Sequence, residues 1–352
     1  MIAHFLVEFV SSQEIKSSFH FKIDGDGFKE EEDLLFSLVN DRYEFSNIDR
    51  IRFRFETLIG LDIKELSEPR FPPKLLSFFS VLENLKISNL GISSISKKDF
   101  AGARALKKLH LSLNNIAHFD LDILTQAPLL DELDLSGNRI SEMFNANEPL
   151  KLLKIVNLSN NPLKDIDSTW NKPGVEPHGI QINASELIIE NCSLPVLYVS
   201  ESMIHIHASR NSISRLLFDG SNFKLTALNL SQNSLSDLVG FDRNVFPDLQ
   251  LLNLSHNRLW SIGAKSFLYM MTLRELDLSH NQLRTIHGDC LSVMPKLQIL
   301  DLSMNNNRLQ FDPNFPASSL SQLYTLDLRG NVMNDLDDEW FLPQNLRQIG
   351  IG

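Results

Sequence analysis

Residues 251–283 read LLNLSHNRLWSIGAKSFLYMMTLRELDLSHNQL, and one phrase occurs in them twice. Leu252, Leu254, Asn257 and Leu259 return as Leu276, Leu278, Asn281 and Leu283, in the same order and 24 positions later. A solitary amphipathic element needs no such echo. A repeated one implies a unit that cannot bury its apolar face alone and stacks on a copy of itself.

Written as LxxLxLxxNxL, the phrase extends in both directions. It is met at Leu106/Leu109/Leu111/Asn114/Ile116, Leu130/Leu133/Leu135/Asn138/Ile140 and Leu153/Val156/Leu158/Asn161/Leu163. It continues at Met203/Ile206/Ala208/Asn211/Ile213 and Leu225/Leu228/Leu230/Asn233/Leu235, and beyond the opening pair at Leu297/Leu300/Leu302/Asn305 and Leu323/Leu326/Leu328/Asn331/Met333. Weaker copies are Ile48/Ile51/Phe53/Leu58, Leu82/Leu85/Ile87/Ile92 and Ala184/Leu187/Ile189/Leu194, the last with Cys192 in the Asn slot. Leu346/Ile349/Ile351 begins one more copy, which stops with the chain. Apolar residues at positions four and six, with a variable residue between them, are a short strand with one buried face. The Asn at position nine answers a different need: where the chain turns out of the strand, backbone groups lose ladder partners, and a buried carboxamide offers two donors and an acceptor.

These residues resemble the leucine-rich-repeat family over roughly 48–352. The resemblance implies an α/β solenoid, a curved horseshoe with a parallel β-sheet on its concave face and loops, 3-10 turns and short helices on its convex face. Cys in the Asn slot is a substitution the family uses. Several repeats add an aliphatic residue and then a Phe on the convex half, as in Ile95 and Phe100 or Ile262 and Phe267, and the 24-residue spacing resembles the extracellular class. The expected organisation is a leader or capping segment over 1–44 and a repeat domain over 45–352 of about 12–13 repeats, the last incomplete. Within the first segment, KIDGDGFKEEED (22–33) has only part of a calcium-loop pattern, with Lys22 first and Asp33 last, and reads as a turn into a capping structure with EEEDLLFSL (30–38) as a short helix. Between Leu163 and Ala184 the repeat is long, with Pro173 and Pro177 on its outer side, and the one after it is short.

Composition narrows the function. A net charge of −11 opposes a general attraction to nucleic acid or anionic membrane. No run of apolar residues is long enough to span a bilayer. The opening MIAHFLVEFVSSQ makes a poor signal peptide, lacking a basic start and broken by His4 and Glu8. Two cysteines in 352 residues make no disulfide framework, and Cys192 and Cys290 fall several coils apart. No metalloprotease, hydrolase, phosphate-loop or dinucleotide motif occurs, and the ten His are scattered over separate coils, so no catalytic group, metal site or cofactor is expected.

What remains is surface. With positions three, five, seven and eight on the concave side, that face opens with a basic end: Arg50, Arg52, Arg54, Lys86, Lys108 and His110. His205 and His207 follow, two apart, and Asp277, Asp301 and Asp327 then form a column on adjacent strands. The column reads either as frequent repeat text on a wet face or as an acidic strip for a basic partner segment. The basic end reads as a contact surface or a solvated capping strand. Glycosylation sequons stand at Asn157, Asn183, Asn191, Asn229 and Asn253, although NLS is also what the repeat spells.

The run FPPKLLSFFSVLENLKISNLGISSISKKDF (71–100) and the short coil SMIHIHASRNSISRL (202–216) resemble insect immune proteins of the mosquito leucine-rich-repeat family. That resemblance implies secretion and a protein partner: a thioester-containing complement-like protein, or another leucine-rich-repeat protein. The expected function is non-catalytic extracellular recognition in innate immunity or receptor-type binding. The alternatives are an intracellular, cytoplasmic scaffold for signalling proteins and a fragment of a transmembrane receptor ectodomain.

Overall fold

The computed structural model describes residues 3–10, 16–23, 37–40, 43–44, 60–63, 66, 69–72, 75–144, 153–163, 184–219, 223–241, 246–287, 289–305, 309–311, 320–331, 343 and 345–350. The chain forms two compact units, Met1–Leu163 and Lys164–Gly352. Each is built of the coils that the repeat phrase announces, and the fold is a parallel-sheet leucine-rich-repeat solenoid.

In the first unit the strands Gly60–Ile63, Asn84–Ile87, Lys108–His110, Glu132–Asp134 and Leu153–Asn157 pair in parallel, each one coil further along the chain. Position four always faces position four: Leu61, Leu85, Leu109, Leu133 and Val156 form one row, and each is 4% exposed or less. The strand Ala3–Val10 runs antiparallel to Gly60–Ile63, so the first coil's outer edge carries a paired strand in place of open backbone groups. Ala3–Val10 pairs in turn with Lys16–Ile23, and Lys16–Ile23 with Ser37–Asn40.

One expectation for this region is corrected and another is left outside the described residues. Gly60–Ile63, carrying Leu61 and Ile63, is a repeat strand that the phrase did not pick out, and the weak copy at Ile48/Ile51/Phe53/Leu58 lies outside the described residues. Leu61 and Ile63 stand 24 residues before Leu85 and Ile87, so the period, counted backwards, identifies this strand where the looser copy does not. The short helix expected over 30–38 does not reach its end: Ser37 and Leu38 belong to a strand, where the backbone of Lys16–Ile23 offers Leu38 and Ser37 a ladder. The calcium-like residues 24–33 and the long outer segment 164–183 also lie outside the described residues.

In the second unit the strands Ala184–Ile188, His205–His207, Ala227–Asn229, Leu251–Asn253, Glu275–Asp277, Ile299–Asp301, Thr325–Asp327 and Gln348–Gly350 continue the pattern. Their rows are again in register, with Leu187, Ile206, Leu228, Leu252, Leu276, Leu300 and Leu326 aligned and buried. Burying each such side chain contributes about 1.5–3 kcal/mol, so the row is the main source of cohesion between coils. Ile349, on the last strand, is 39% exposed.

Among the described residues the return path of each coil is mostly turns, 3-10 segments and short strands, with four-residue helices at Leu75–Phe78 and Asp289–Ser292. Phe100 and Phe267 are fully buried there, as the convex-side reading expected. The short coils add something the repeat phrase does not announce. Return-side ladders of two or three residues also join ordinary coils, as His118–Asp120 with Glu142–Phe144 and Ser261–Ile262 with Thr285–Ile286, but here Val196–Ser200 and Arg215–Asp219 form a longer, five-residue parallel ladder. An extended residue advances about 3.3 Å and a 3-10 residue about 2 Å, so a return path made of strand closes the coil with fewer residues. That is how only 19 residues separate Ala184 from Met203.

The Asn slot behaves as its chemistry requires. Asn114 Nδ2 donates to Ile87 O at 2.7 Å and Leu111 O at 2.9 Å, and its Oδ1 accepts from Leu90 N and Ile92 N of the preceding coil. Asn138, Asn161, Asn233, Asn257 and Asn281 repeat the pattern. Cys192 is fully buried in the same slot, donating weakly to Glu190 O while its N–H is taken by Asn211 Oδ1.

Candidate functional site: the solvent-facing strand surface

Among the described residues no three His, Cys, Asp or Glu side chains gather as a metal site, and no helix is long and apolar enough to cross a membrane. Neither cysteine is in a disulfide; both are buried. Burial, helped by the Asp289 charge, pushes the Cys290 thiol up to about 12, so it remains protonated and inert. The surface that varies from coil to coil is the outer side of the strands, at positions three, five and eight, whereas position seven holds Ser in most coils, several of them buried.

In the first unit the charges on that surface pair with one another. Lys108 Nζ lies 2.6 Å from Glu132 Oε2, and His110 Nε2 lies 3.0 Å from Glu132 Oε1. Burial works to raise the Glu132 carboxyl, but the Lys108 hydrogen bond and the charges of His110 and Lys108 outweigh it and hold the group below the usual carboxylate range. Lys86 lies 3.6 Å from Asp62. One position earlier a second row alternates in sign, with Lys107 on Glu83 and Lys154 on Asp131. Of the basic end read from the sequence, Arg50, Arg52 and Arg54 lie outside the described residues, and Lys86, Lys108 and His110 face carboxylates.

In the second unit His207 Nε2 lies 3.7 Å from Glu186 Oε1, and His205 stands two residues before it on the same strand. Asp277, Asp301 and Asp327 do form one column, residue opposite residue on three adjacent strands. Each carboxylate has a structural duty, because its Oδ1 accepts the backbone N–H two residues on: Ser279, Ser303 and Arg329, at 2.9–3.0 Å. Asn157, Asn229 and Asn253 do the same at the same position, with Ser159, Ser231 and Ser255 as donors. The motif L-[D/N]-L-S is thus a strand ending in an Asx turn. Of the other sequons, Asn191 is exposed at position eight and Asn183 lies outside the described residues.

Asp327 has a further partner, since Arg329 Nε lies 3.0 Å from both its oxygens. That hydrogen bond first, and the Arg329 charge with it, hold the Asp327 carboxyl below the usual range against the opposing effect of burial. Gly350, opposite Asp327 on the next strand, leaves room for the pair; a Cβ there would lie 2.6 Å from Asp327 Oδ1. Because the folded-state pKa is depressed, the contribution of this pair is complete above the unfolded carboxylate value, about 3.9, and is lost as pH falls through the lower folded value. Replacing Arg329 with Ala is expected to move the Asp327 titration upward toward the ordinary carboxylate value, followed by NMR; an unmoved titration would show that the backbone N–H alone sets it.

Position eight was not singled out in the sequence reading. Here the backbone turns left-handed wherever the position is described: Asn89, Leu113, Asn160, Asn191, Arg210, Gln232, His256, His280 and Met304 have φ between 53° and 59°, and Gly137 and Gly330 share the conformation. The turn lets each N–H reach the next coil, as His256 N does to Ser279 O and His280 N to Ser303 O. The side chains therefore stack in a column. The rings of His256 and His280 lie parallel, with centroids 4.0 Å apart and planes 10° from parallel. Burial and the neighbouring His280 charge lower the His256 pKa, against the raising effect of Asp277. The signal was in the text, since SHN recurs at 255–257 and 279–281.

Comparison with known proteins agrees with this geometry. A leucine-rich-repeat family model matches residues 80–140 and 247–306, and a second one matches 221–238. The chain carries leucine-rich repeats. It is 30% identical over 160 residues to epiphycan of Mus musculus, which is 45% of each chain. It is 36% identical over 92 residues to acidic leucine-rich nuclear phosphoprotein 32 family member A of Drosophila melanogaster, 26% of this chain and 34% of that protein. The matched stretches span less than half the length of these relatives. In fold it is similar to the APL1 leucine-rich repeat domain, with a TM-score of 0.57 at 24% identity over 75% of this chain and 72% of that one. It is likewise similar to a chain of the Drosophila Toll–Spatzle complex, with a TM-score of 0.57 at 20% identity over 84% of this chain and 38% of that one. A leucine-rich-repeat fold is a typical non-enzymatic scaffold for binding protein.

Proposed function

We propose that the chain is a non-catalytic recognition module that binds a protein through its solvent-facing strand surface, in extracellular innate immunity or receptor-type binding. The observation that carries this reading is the division of labour within each coil. Positions one, four, six, nine and eleven are fixed by the core, while positions three and eight change from coil to coil and place Leu251 and Met304 in solvent at 42% and 51% exposure. Exposed aliphatic side chains on a strand surface gain little in the free protein and contribute when a partner removes them from water. The fold likeness to APL1 and to the Toll–Spatzle chain supports the immune reading, and the resemblance to mosquito immune proteins supplies the partner classes.

The test is binding by interferometry to two purified candidates: a complement-like thioester-containing protein and a leucine-rich-repeat immune protein. Saturable binding stronger than about 10 µM, the affinity range of a genuine if modest interface, is expected for one of them. Absence of binding to both would end the immune reading. The intracellular scaffold remains a second reading, favoured by the likeness to the nuclear phosphoprotein and by two thiols kept out of any disulfide. Detection of the native protein in cell extract, with no mobility shift on removal of N-glycans, would decide for it; a shifted, extracellular protein with sugars on the sequons would decide against it.

A further inference from the structure

Four strands of the second unit, Ala227–Asn229, Leu251–Asn253, Glu275–Asp277 and Ile299–Asp301, lie in register and present an outer face of unusual content. Position three reads Ala227, Leu251, Glu275 and Ile299, and position eight reads Gln232, His256, His280 and Met304. Leu251 and Met304 are exposed there, with the stacked His256 and His280 rings between them in sequence order. The charges at these outer positions are those of Glu275, Asp277 and Asp301, and no Lys or Arg stands at position three, five, seven or eight of the four coils. In the first unit, Glu132 and Asp62 at comparable positions have Lys partners from within the sheet.

We propose that this face docks a segment of a partner protein in which Lys or Arg side chains stand beside aliphatic ones. The inference rests on the protein-binding reading above and specifies the partner's chemistry. Aliphatic side chains on the partner would cover Leu251, Ile299 and Met304, and its cations would meet the carboxylate oxygens that the Asx turns leave outward on Asp277 and Asp301. A second copy of this chain is the wrong occupant, because a two-fold contact would set the acidic column against its own image, and like charges directly opposed are destabilising. The histidine stack adds a condition. Protonation of His256, which burial and the neighbouring His280 disfavour, would place a cation beside Glu275, Asp277 and Asp301 and compete with an incoming one.

The probe is a short fluorescent peptide alternating lysine, serine and leucine, with glutamate in place of lysine in the control, followed by anisotropy at low ionic strength. The lysine peptide is expected to bind and the glutamate peptide not. The double variant Asp277→Asn, Asp301→Asn is expected to weaken binding about fivefold, the equivalent of about 1 kcal/mol for exposed charges. It keeps the Asx acceptor that Asn229 and Asn253 already supply at this position, so the fold is retained. Glu132→Gln, in the other unit, should change nothing. Lowering the pH from about 7.5 to about 5.5 should weaken binding, and His256→Gln with His280→Gln, matching Gln232 in the same column, should remove that dependence.

Equal binding of the two peptides, or an Asp double variant that binds as the wild type does, overturns the proposal. So does a dimer in sedimentation that Leu251→Arg dissolves, since the face would then be occupied by a second copy. A protein partner whose binding ignores Asp277→Asn, Asp301→Asn would defeat this inference alone, whereas peptide binding as expected with no response from the candidate immune proteins would defeat only the immune reading.

Discussion

Replacing Asn257 with Ala is expected to destabilise the second unit by about 3 kcal/mol, seen as a fall of roughly 6–12 °C in melting temperature. The side chain is only 6% exposed and makes four hydrogen bonds. Its Nδ2 donates to Leu230 O at 2.9 Å, to Leu254 O at 3.0 Å and, more weakly, to Ser255 O, and its Oδ1 accepts from Leu235 N at 2.9 Å. Alanine leaves two carbonyls and one N–H buried without these partners, and the cost of such groups exceeds the net worth of the bonds that satisfied them. Asn257→Asp is the sharper variant. Its carboxylate would face two carbonyl oxygens, so its pKa would be raised in the folded state. The added penalty is then absent in acid and grows as pH rises above the unfolded carboxylate value. A melt of the Asp variant that does not improve on acidification would show that the slot tolerates an acceptor where donors are required.

The ladder also explains what the sequence made legible. Asn257, Leu252 and Leu254 could be assigned roles from spacing alone, because one geometric duty recurs in each coil and admits few side chains. The same logic makes Cys192 readable as a filler of the Asn slot. The strand at Gly60–Ile63 was hidden because its Asn position does not hold Asn, and a looser match ten residues earlier drew the reading away. Lys108 and His110 read as a basic end because a sequence shows which charges share a face but not that Glu132, one coil on, comes within 3.0 Å of both. Asp277 and Asp301 were read for their charge, while their first duty is to accept a backbone N–H; that Asn alternates with Asp at the position was the available clue. The His256 stack depends on a left-handed turn at position eight, which residue type does not announce when the position holds Leu113 or Met304 as readily as Gly137.

Phe267→Ala carries the largest expected loss, about 4 kcal/mol for an aromatic ring removed from a closed interior. The ring is fully buried on the return side of its coil, and the backbone around it is tied by Met270 N to Phe267 O and Leu273 N to Met270 O. The next coil places Leu291 at the same register, 24 residues on, also buried, just as Leu124 follows Phe100. The repeat therefore accepts either side chain there, and Phe267→Leu should cost only about 1 kcal/mol, as an apolar exchange that keeps most of the volume does. Because each coil touches only its neighbours, the damage from Ala should be local. Amide exchange is expected to quicken first in Leu251–Asn253, Glu275–Asp277 and the return segment between them, while His205–His207 keeps its protection. Uniform acceleration across the second unit would mean instead that the unit unfolds as one cooperative body, with the Asn ladder coupling its coils more strongly than nearest-neighbour packing implies.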